Sequence, residues 1–118
     1  RCSARSLAHR AEHRRPALHL VQILLPVRDN DGRPFNTHAF EDVAWQLSKK
    51  FGGITAYSRA PAEGRWETTG TTQHDDVVVF EVMADALDRA WWRDFRGELE
   101  ATFRQTRVIV RTHAIELL

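Results

Sequence analysis

The sequence predicts an α+β domain in which two helices cover one face of a four-stranded antiparallel sheet. Two observations support this prediction. Segments with strand and helix patterns follow one another in the order β-α-β-β-α-β, and each helical segment carries a single apolar stripe. Because crossover connections are right-handed, few other topologies suit that order.

Four segments are predicted to be strands because they are rich in apolar and β-branched residues. The first covers residues 18–25 and ends at Pro26, which cannot donate to a strand ladder. The second covers residues 54–59, and the third, residues 76–83, has the clearest pattern. The last strand is predicted at residues 107–115.

Two segments are predicted to be helices. The first begins near Asn36 or Thr37, both suitable N-caps, and ends at Gly52, which tolerates a left-handed conformation. Asp85 is the predicted N-cap of the second. The two stripes are Phe40, Val43, Ala44, Leu47 and Phe51 in the first helix and Leu87, Trp91, Phe95, Leu99 and Phe103 in the second. The whole pattern is that of the split-βαβ, ferredoxin-like fold.

Charge divides the chain into a basic tail, residues 1–17, and a single domain, residues 18–118. The tail holds five of the 17 basic residues and one of the 16 acidic residues. The domain therefore keeps 12 basic and 15 acidic residues, a net charge of −3. We expect the tail to be flexible, and nucleic acid is expected only as a nonspecific contact of its arginines. A transit segment is the alternative for the tail.

Several classes of protein and site are not expected. No apolar run approaches the roughly 20 residues that cross a bilayer, and none near the start resembles a signal peptide, so we expect a cytoplasmic protein. With Cys2 as the sole cysteine, neither an intrachain disulfide nor a cysteine zinc site is expected. The six histidines lack the i, i+4 spacing of a zinc helix, so we expect no metal and no cofactor. A single haem-ligating histidine would leave no spacing signal.

The sheet face away from the helices, here called the open face, is predicted to be unusually apolar. Side chains alternate along strands, and the wholly apolar sets are assigned to the helix side. The open face then consists of Leu20, Gln22, Leu24, Val77, Val79, Glu81, Ile109, Arg111 and His113. Such a patch usually marks an interface or a pocket, so we expect a homodimer joined through this face.

Three polar residues of the open face form the predicted catalytic group. His113 transfers protons near neutral pH, Arg111 would hold an anionic oxygen, and Glu81 completes an acid/base set. The alternative is a structural ion pair between Glu81 and Arg111 with His113 uninvolved.

The predicted ligand-binding residues lie on the face and on the irregular hairpin after the second strand. They are Gln22, Tyr57, Arg59 and Trp66. A break at Pro61 would redirect neighbouring side chains, as bulges often do beside active sites. The alternative for Trp66 is that it closes one end of the core.

The layout of residues 18–118 resembles the dimeric α+β-barrel superfamily, in which ferredoxin-like subunits join their sheets. The run from Phe51 to Tyr57, the Gly64-Arg65-Trp66 segment and the strand from Asp76 to Glu81 are also similar to a small bacterial domain family of unknown function. The resemblance implies a homodimeric small-molecule-binding protein or a cofactor-independent enzyme. The alternative is a non-catalytic interaction module that docks through its apolar sheet face.

Overall fold

A computed structural model of the chain describes residues 18–59 and 76–118. Residues 1–17 and Trp66 lie outside the described residues, as does the predicted break at Pro61. The elements of the described residues are the strands β1 to β4 and the helices α1 and α2. In chain order they are β1 (Leu18–Pro26), α1 (Thr37–Phe51), β2 (Thr55–Arg59), β3 (Val77–Ala84), α2 (Arg89–Thr102) and β4 (Ile109–Ile115).

The strands form one antiparallel sheet in the order β2-β3-β1-β4. The first strand is central and pairs with the last, while the hairpin strands β2 and β3 lie on its other side. This order and the two helices on one face confirm the predicted α+β, ferredoxin-like fold.

The core lies between the helices and the sheet, on the side that the alternation predicted. Ile23 is fully buried in β1, and Phe80 of β3 and Val108 before β4 join it in the same cluster. The helices complete the core with buried side chains: Val43 and Leu47 from α1, and Phe95 and Leu99 from α2. The assignment of strand faces is therefore confirmed, and neither of the two described helices packs on the open face.

The first helix begins and ends where the sequence predicted. The Asn36 side chain accepts a hydrogen bond from the His38 N–H at 2.9 Å, which satisfies one free donor of the first turn. Gly52 follows Phe51 with φ of 80°, and its N–H donates to the Ser48 carbonyl at 2.8 Å. A side chain at that φ would be strained, which explains the glycine.

The start of the second helix differs from the prediction. Its N-cap is Asp88 rather than Asp85, because Asp88 Oδ1 accepts from the Trp91 N–H at 3.1 Å. Trp92, not Trp91, is the more buried of the pair at 8% exposure. Trp92 packs parallel to Phe51 with ring centroids 5.3 Å apart, and Trp91, also packed against the core, meets the same ring edge-on at 5.6 Å.

Asp29 organises the loop that joins β1 to α1. Its Oδ1 accepts from the N–H of Arg33 at 2.8 Å and from that of Asp31 at 2.9 Å. Its Oδ2 lies 3.7 Å from Arg104 Nη2, just beyond the end of α2. The Arg33 N–H hydrogen bond, assisted by that of Asp31 and by the charge of Arg104, holds the pKa of Asp29 below its usual value.

We expect Asp29→Asn to lower the thermal midpoint at about pH 7, because the amide carries no charge for these donors. A depressed folded-state pKa gives stability that is present above the ordinary pKa of 3.8 and lost as the pH falls through the lower folded value. The difference from wild type should therefore shrink on acidification. Thermal melts from about pH 7 down through the pKa of Asp29 measure this difference in thermal midpoint. Asp31→Asn is the control, because it makes the same change of charge in the same loop. A difference that stays constant with pH would contradict this role of Asp29.

Candidate functional site

A row of hydrogen-bonded polar side chains crosses the open face from one edge of the sheet to the other. Arg111 Nε on β4 donates to Gln22 Oε1 on β1 at 2.8 Å. Gln22 Nε2 donates to Glu81 Oε2 on β3 at 2.6 Å, and the hydroxyl of Tyr57 on β2 donates to the same oxygen at 3.2 Å. This set, Arg111, Gln22, Glu81 and Tyr57, is called the polar row below.

Strand register explains why the polar row forms. Gln22 is the direct partner of Glu81 in one ladder and of Arg111 in the other. Directly paired side chains lie about 4.5–5.5 Å apart at Cβ, which is within reach of these long groups. Tyr57 is opposite Val79, which is two residues before Glu81 in β3, so its side chain reaches Glu81 diagonally across the strand pair.

Gln22 separates the two charges of the polar row and is oriented to suit both. Its amide group donates to the Glu81 carboxylate and accepts from the Arg111 guanidinium. Hydrogen bonds to charged groups contribute about 1.5–3 kcal/mol each. The predicted direct ion pair between Glu81 and Arg111 is thus replaced by a link through a neutral amide.

Apolar side chains flank the polar row on both sides. On one side Leu24 is paired with Val79 and Ile109, and on the other Leu20 is paired with Met83. Ile109 is 50% exposed and Met83 is 51% exposed. Val79, which lies between its cross-strand partners Leu24 and Tyr57, is only 1% exposed, so the exposed apolar surface is smaller than the sequence predicted.

A depression of about 530 Å³ opens beside Glu81 at the edge of the sheet. It lies where β2 begins at Thr55, opposite Glu81, since among the described strands none pairs with the last three residues of β3 on that side. Leu20 and Met83 line it from the sheet, and the glycine pair Gly52-Gly53 lines it from the end of α1. One end of the polar row therefore meets a space that a small molecule can enter.

Two of the remaining predicted site residues, His113 and Arg59, are among the described residues. His113 is exposed on the open face, opposite Leu20 and two residues from Arg111. Arg59 is the last residue of β2, opposite Val77. Trp66 lies outside the described residues. The structure thus brings together Glu81, Arg111, Gln22 and Tyr57, with His113 one step away.

Sequence reasoning missed Met83 as a lining residue and the depression itself. Met83 is two residues after Glu81 in β3 and therefore lies on the same face of the sheet. This alternation could have identified it from the sequence. The depression depends on where β2 begins relative to β3, and this register is set by the pairing of the two strands.

Other features of the described residues bear on function. Within residues 18–59 and 76–118, no three or more His, Cys, Asp or Glu side chains gather in a way that suits a metal ion. No helix in the same ranges is long and apolar enough to span a membrane.

Comparisons with known proteins identify the fold and no family. No family model matches the chain, and no curated protein matches it either. A solved structure of a phage SAM lyase in complex with S-methyl-5'-thioadenosine is similar, with a TM-score of 0.51 and 15% sequence identity over 84% of this chain and 81% of that one. The phage SAM lyase in its apo state is similar with a TM-score of 0.50 and 14% identity, over 86% of this chain and 83% of that one. At this identity the likeness shows a shared fold.

Proposed function

We propose that this domain binds a small molecule at the Glu81 end of the polar row, and that a second copy of the chain closes the site across the open face. The observation that carries the proposal is the hydrogen-bonded polar row, set between apolar flanks and ending at the depression. Charged groups placed within an apolar surface are costly unless they are paired or used, and concave sites with few convergent polar groups bind ligands.

The chemistry of the polar row suits a ligand that donates hydrogen bonds. Glu81 accepts hydroxyl or amine protons, and the Nη groups of Arg111 would hold a carbonyl or anionic oxygen, since Nε already serves Gln22. Leu20 and Met83 would contact an apolar or thioether portion. With His113 moving protons, these residues would support a cofactor-independent reaction.

The polar row is also complementary to itself. It presents a cation, a neutral amide and an anion in that order: Arg111, Gln22 and Glu81. A two-fold axis parallel to the strands and passing over Gln22 would reverse this order and place Glu81 opposite Arg111 of a second copy. Isologous dimers need such self-complementarity, which supports a homodimer through this face.

The second candidate is a non-catalytic interaction module that uses the same face. It is favoured by the hydrogen bonding within the polar row, which already satisfies Glu81 and Gln22 without a ligand. The two candidates differ in whether a ligand-sized space remains beside Glu81 after association.

We expect wild type to be a dimer and Ile109→Glu to be a folded monomer, because the substitution places a charge on the half-exposed apolar flank of the open face. Trp45→Glu is the matched control, since Trp45 is 62% exposed on α1, on the helix side of the sheet. Light scattering measures the mass, and circular dichroism confirms folding. The same three proteins are titrated with S-methyl-5'-thioadenosine, the molecule bound in one of the similar structures.

Wild type and Trp45→Glu should bind this probe, and the monomeric variant should bind it more weakly because half of the enclosure is missing. A monomeric wild type would refute the dimer. Equal binding by the monomer would show that one chain completes the site. A dimer without binding of the probe would favour the interaction module.

A further inference from the structure

A second concave site lies on the helix side of the sheet, between α2 and the edge strand β4. It is a cleft of about 230 Å³, and four of the nine described residues that line it are arginines. They are Arg89, Arg93, Arg96 and Arg111. No acidic side chain is among the described residues that line this cleft. Sequence analysis did not identify it, because the side of α2 that faces β4 depends on how the helix packs on the sheet.

Helical spacing gathers three of these arginines. Arg89, Arg93 and Arg96 stand at i, i+4 and i+7 of α2 and therefore share one side of the helix. Like charges at this spacing repel each other, which disfavours the helix unless a counter-charge is present. Arg111 lines the cleft from β4, while its guanidinium donates to Gln22 on the open face, so the positive charge of the cleft comes from α2.

Neighbouring acids compensate these charges only in part. Arg96 Nε lies 3.9 Å from Glu100 Oε2, and that carboxylate oxygen also accepts the Val108 N–H at 2.9 Å. Asp88, at the start of α2, accepts the Trp91 N–H instead. In the described part of the chain, Arg89 and Arg93 take part in none of the ion pairs. This concentration of positive charge stands on a domain whose net charge is −3.

The floor of the cleft is apolar. Val110 and Leu87 are half-buried in its lining, and Val21 and Trp92 are buried there. The volume is below the roughly 300–1,000 Å³ of pockets for drug-sized ligands, so the ligand must be small. An oxyanion at the rim with a compact apolar group on the floor would contact both parts.

We infer that this cleft binds a phosphate monoester of a small apolar group. A guanidinium forms paired hydrogen bonds to phosphate oxygens. The two negative charges of a phosphate monoester also neutralise more of the positive charge of the arginines than a single carboxylate does. The inference is independent of the site at Glu81, although Arg111 borders both sites because it lies on the edge strand.

Calorimetric titration with phenyl phosphate tests the inference. We expect saturable one-to-one binding, tighter than that of inorganic phosphate, which lacks the apolar part, and of benzoate, which lacks the second charge. Arg93→Gln should weaken binding about tenfold, which is the loss of one hydrogen bond to a charged group. The matched control is Arg33→Gln, because Arg33 lies in the loop near the opposite end of α2. Thermal melts confirm that both variants fold.

Several results would overturn the inference. An equal loss in Arg93→Gln and Arg33→Gln would mean that phenyl phosphate responds to net charge alone. Benzoate binding as tightly as phenyl phosphate would exclude a site specific for phosphate. Inorganic phosphate binding as tightly would show that the apolar group of the ligand contributes nothing to affinity. Absence of binding at millimolar phenyl phosphate, or binding of a single-stranded RNA oligomer in its place, would refute it outright.

Discussion

Replacing Phe103 by alanine is expected to lower the free energy of unfolding by about 3–5 kcal/mol. Phe103 follows α2 and is 0% exposed. Its ring centroid lies 5.0 Å from that of Phe35, in the loop before α1, and 5.3 Å from that of Phe40 in α1. The side chain therefore joins both helices and a loop, and none of these can easily collapse into the space that alanine would leave.

Denaturant unfolding followed by circular dichroism measures this loss. Trp45→Ala is the matched control, because it also removes an aromatic ring but from an exposed position over Lys49. It should cost less than about 1 kcal/mol. Similar losses in the two variants would show that Phe103 does not join the helices as described. A domain of ordinary stability, about 5–15 kcal/mol, would retain a measurable transition in Phe103→Ala.

Gln22→Leu is expected to cost about 1–3 kcal/mol, because it leaves the Glu81 carboxylate without its shortest hydrogen bond on a partly buried face. Leucine has a volume similar to that of glutamine and suits the apolar surroundings on this face, so lost packing contributes little to the change in stability. The cost should arise from the carboxylate, which keeps only the longer hydrogen bond from Tyr57 among those of the polar row.

The double variant Gln22→Leu/Glu81→Leu isolates that cause. Removing both partners of a buried hydrogen bond is often nearly neutral, whereas removing one leaves the other desolvated. We therefore expect the double variant to be more stable than Gln22→Leu in the same denaturant experiment. If it is less stable, Glu81 contributes to the fold independently of Gln22.

The fold and the faces of the sheet were predictable because they depend on short-range periodicity. Val78, Phe80 and Val82 alternate with Val79 and Glu81 along β3. Because side chains alternate between the two faces of a strand, only one register places the wholly apolar set under the helices. The predicted membership of Glu81, Gln22 and Arg111 in one face followed from the same rule.

Features set by contacts between distant segments were not predictable. Trp91 packs against the core as its spacing in α2 indicated, but the deeper burial of Trp92, stacked on Phe51 of the other helix, was not predicted. The link through Gln22 depends on side-chain rotamers across two strand pairs. The cleft at Arg89, Arg93 and Arg96 depends on which side of α2 faces β4, and that is set only when the helix packs on the sheet.

The central position of β1 has a consequence for how the chain acquires its structure. Its ladder with β4 joins residues about 90 positions apart, such as Gln22 and Arg111, which are separated by 89. Until β4 leaves the ribosome, one edge of β1 has no partner, and an unpaired apolar strand edge is prone to intermolecular pairing. Completion of the sheet therefore waits for the last strand, and such non-local closure slows folding. During synthesis, protection of β1 from aggregation depends on how quickly β4 arrives.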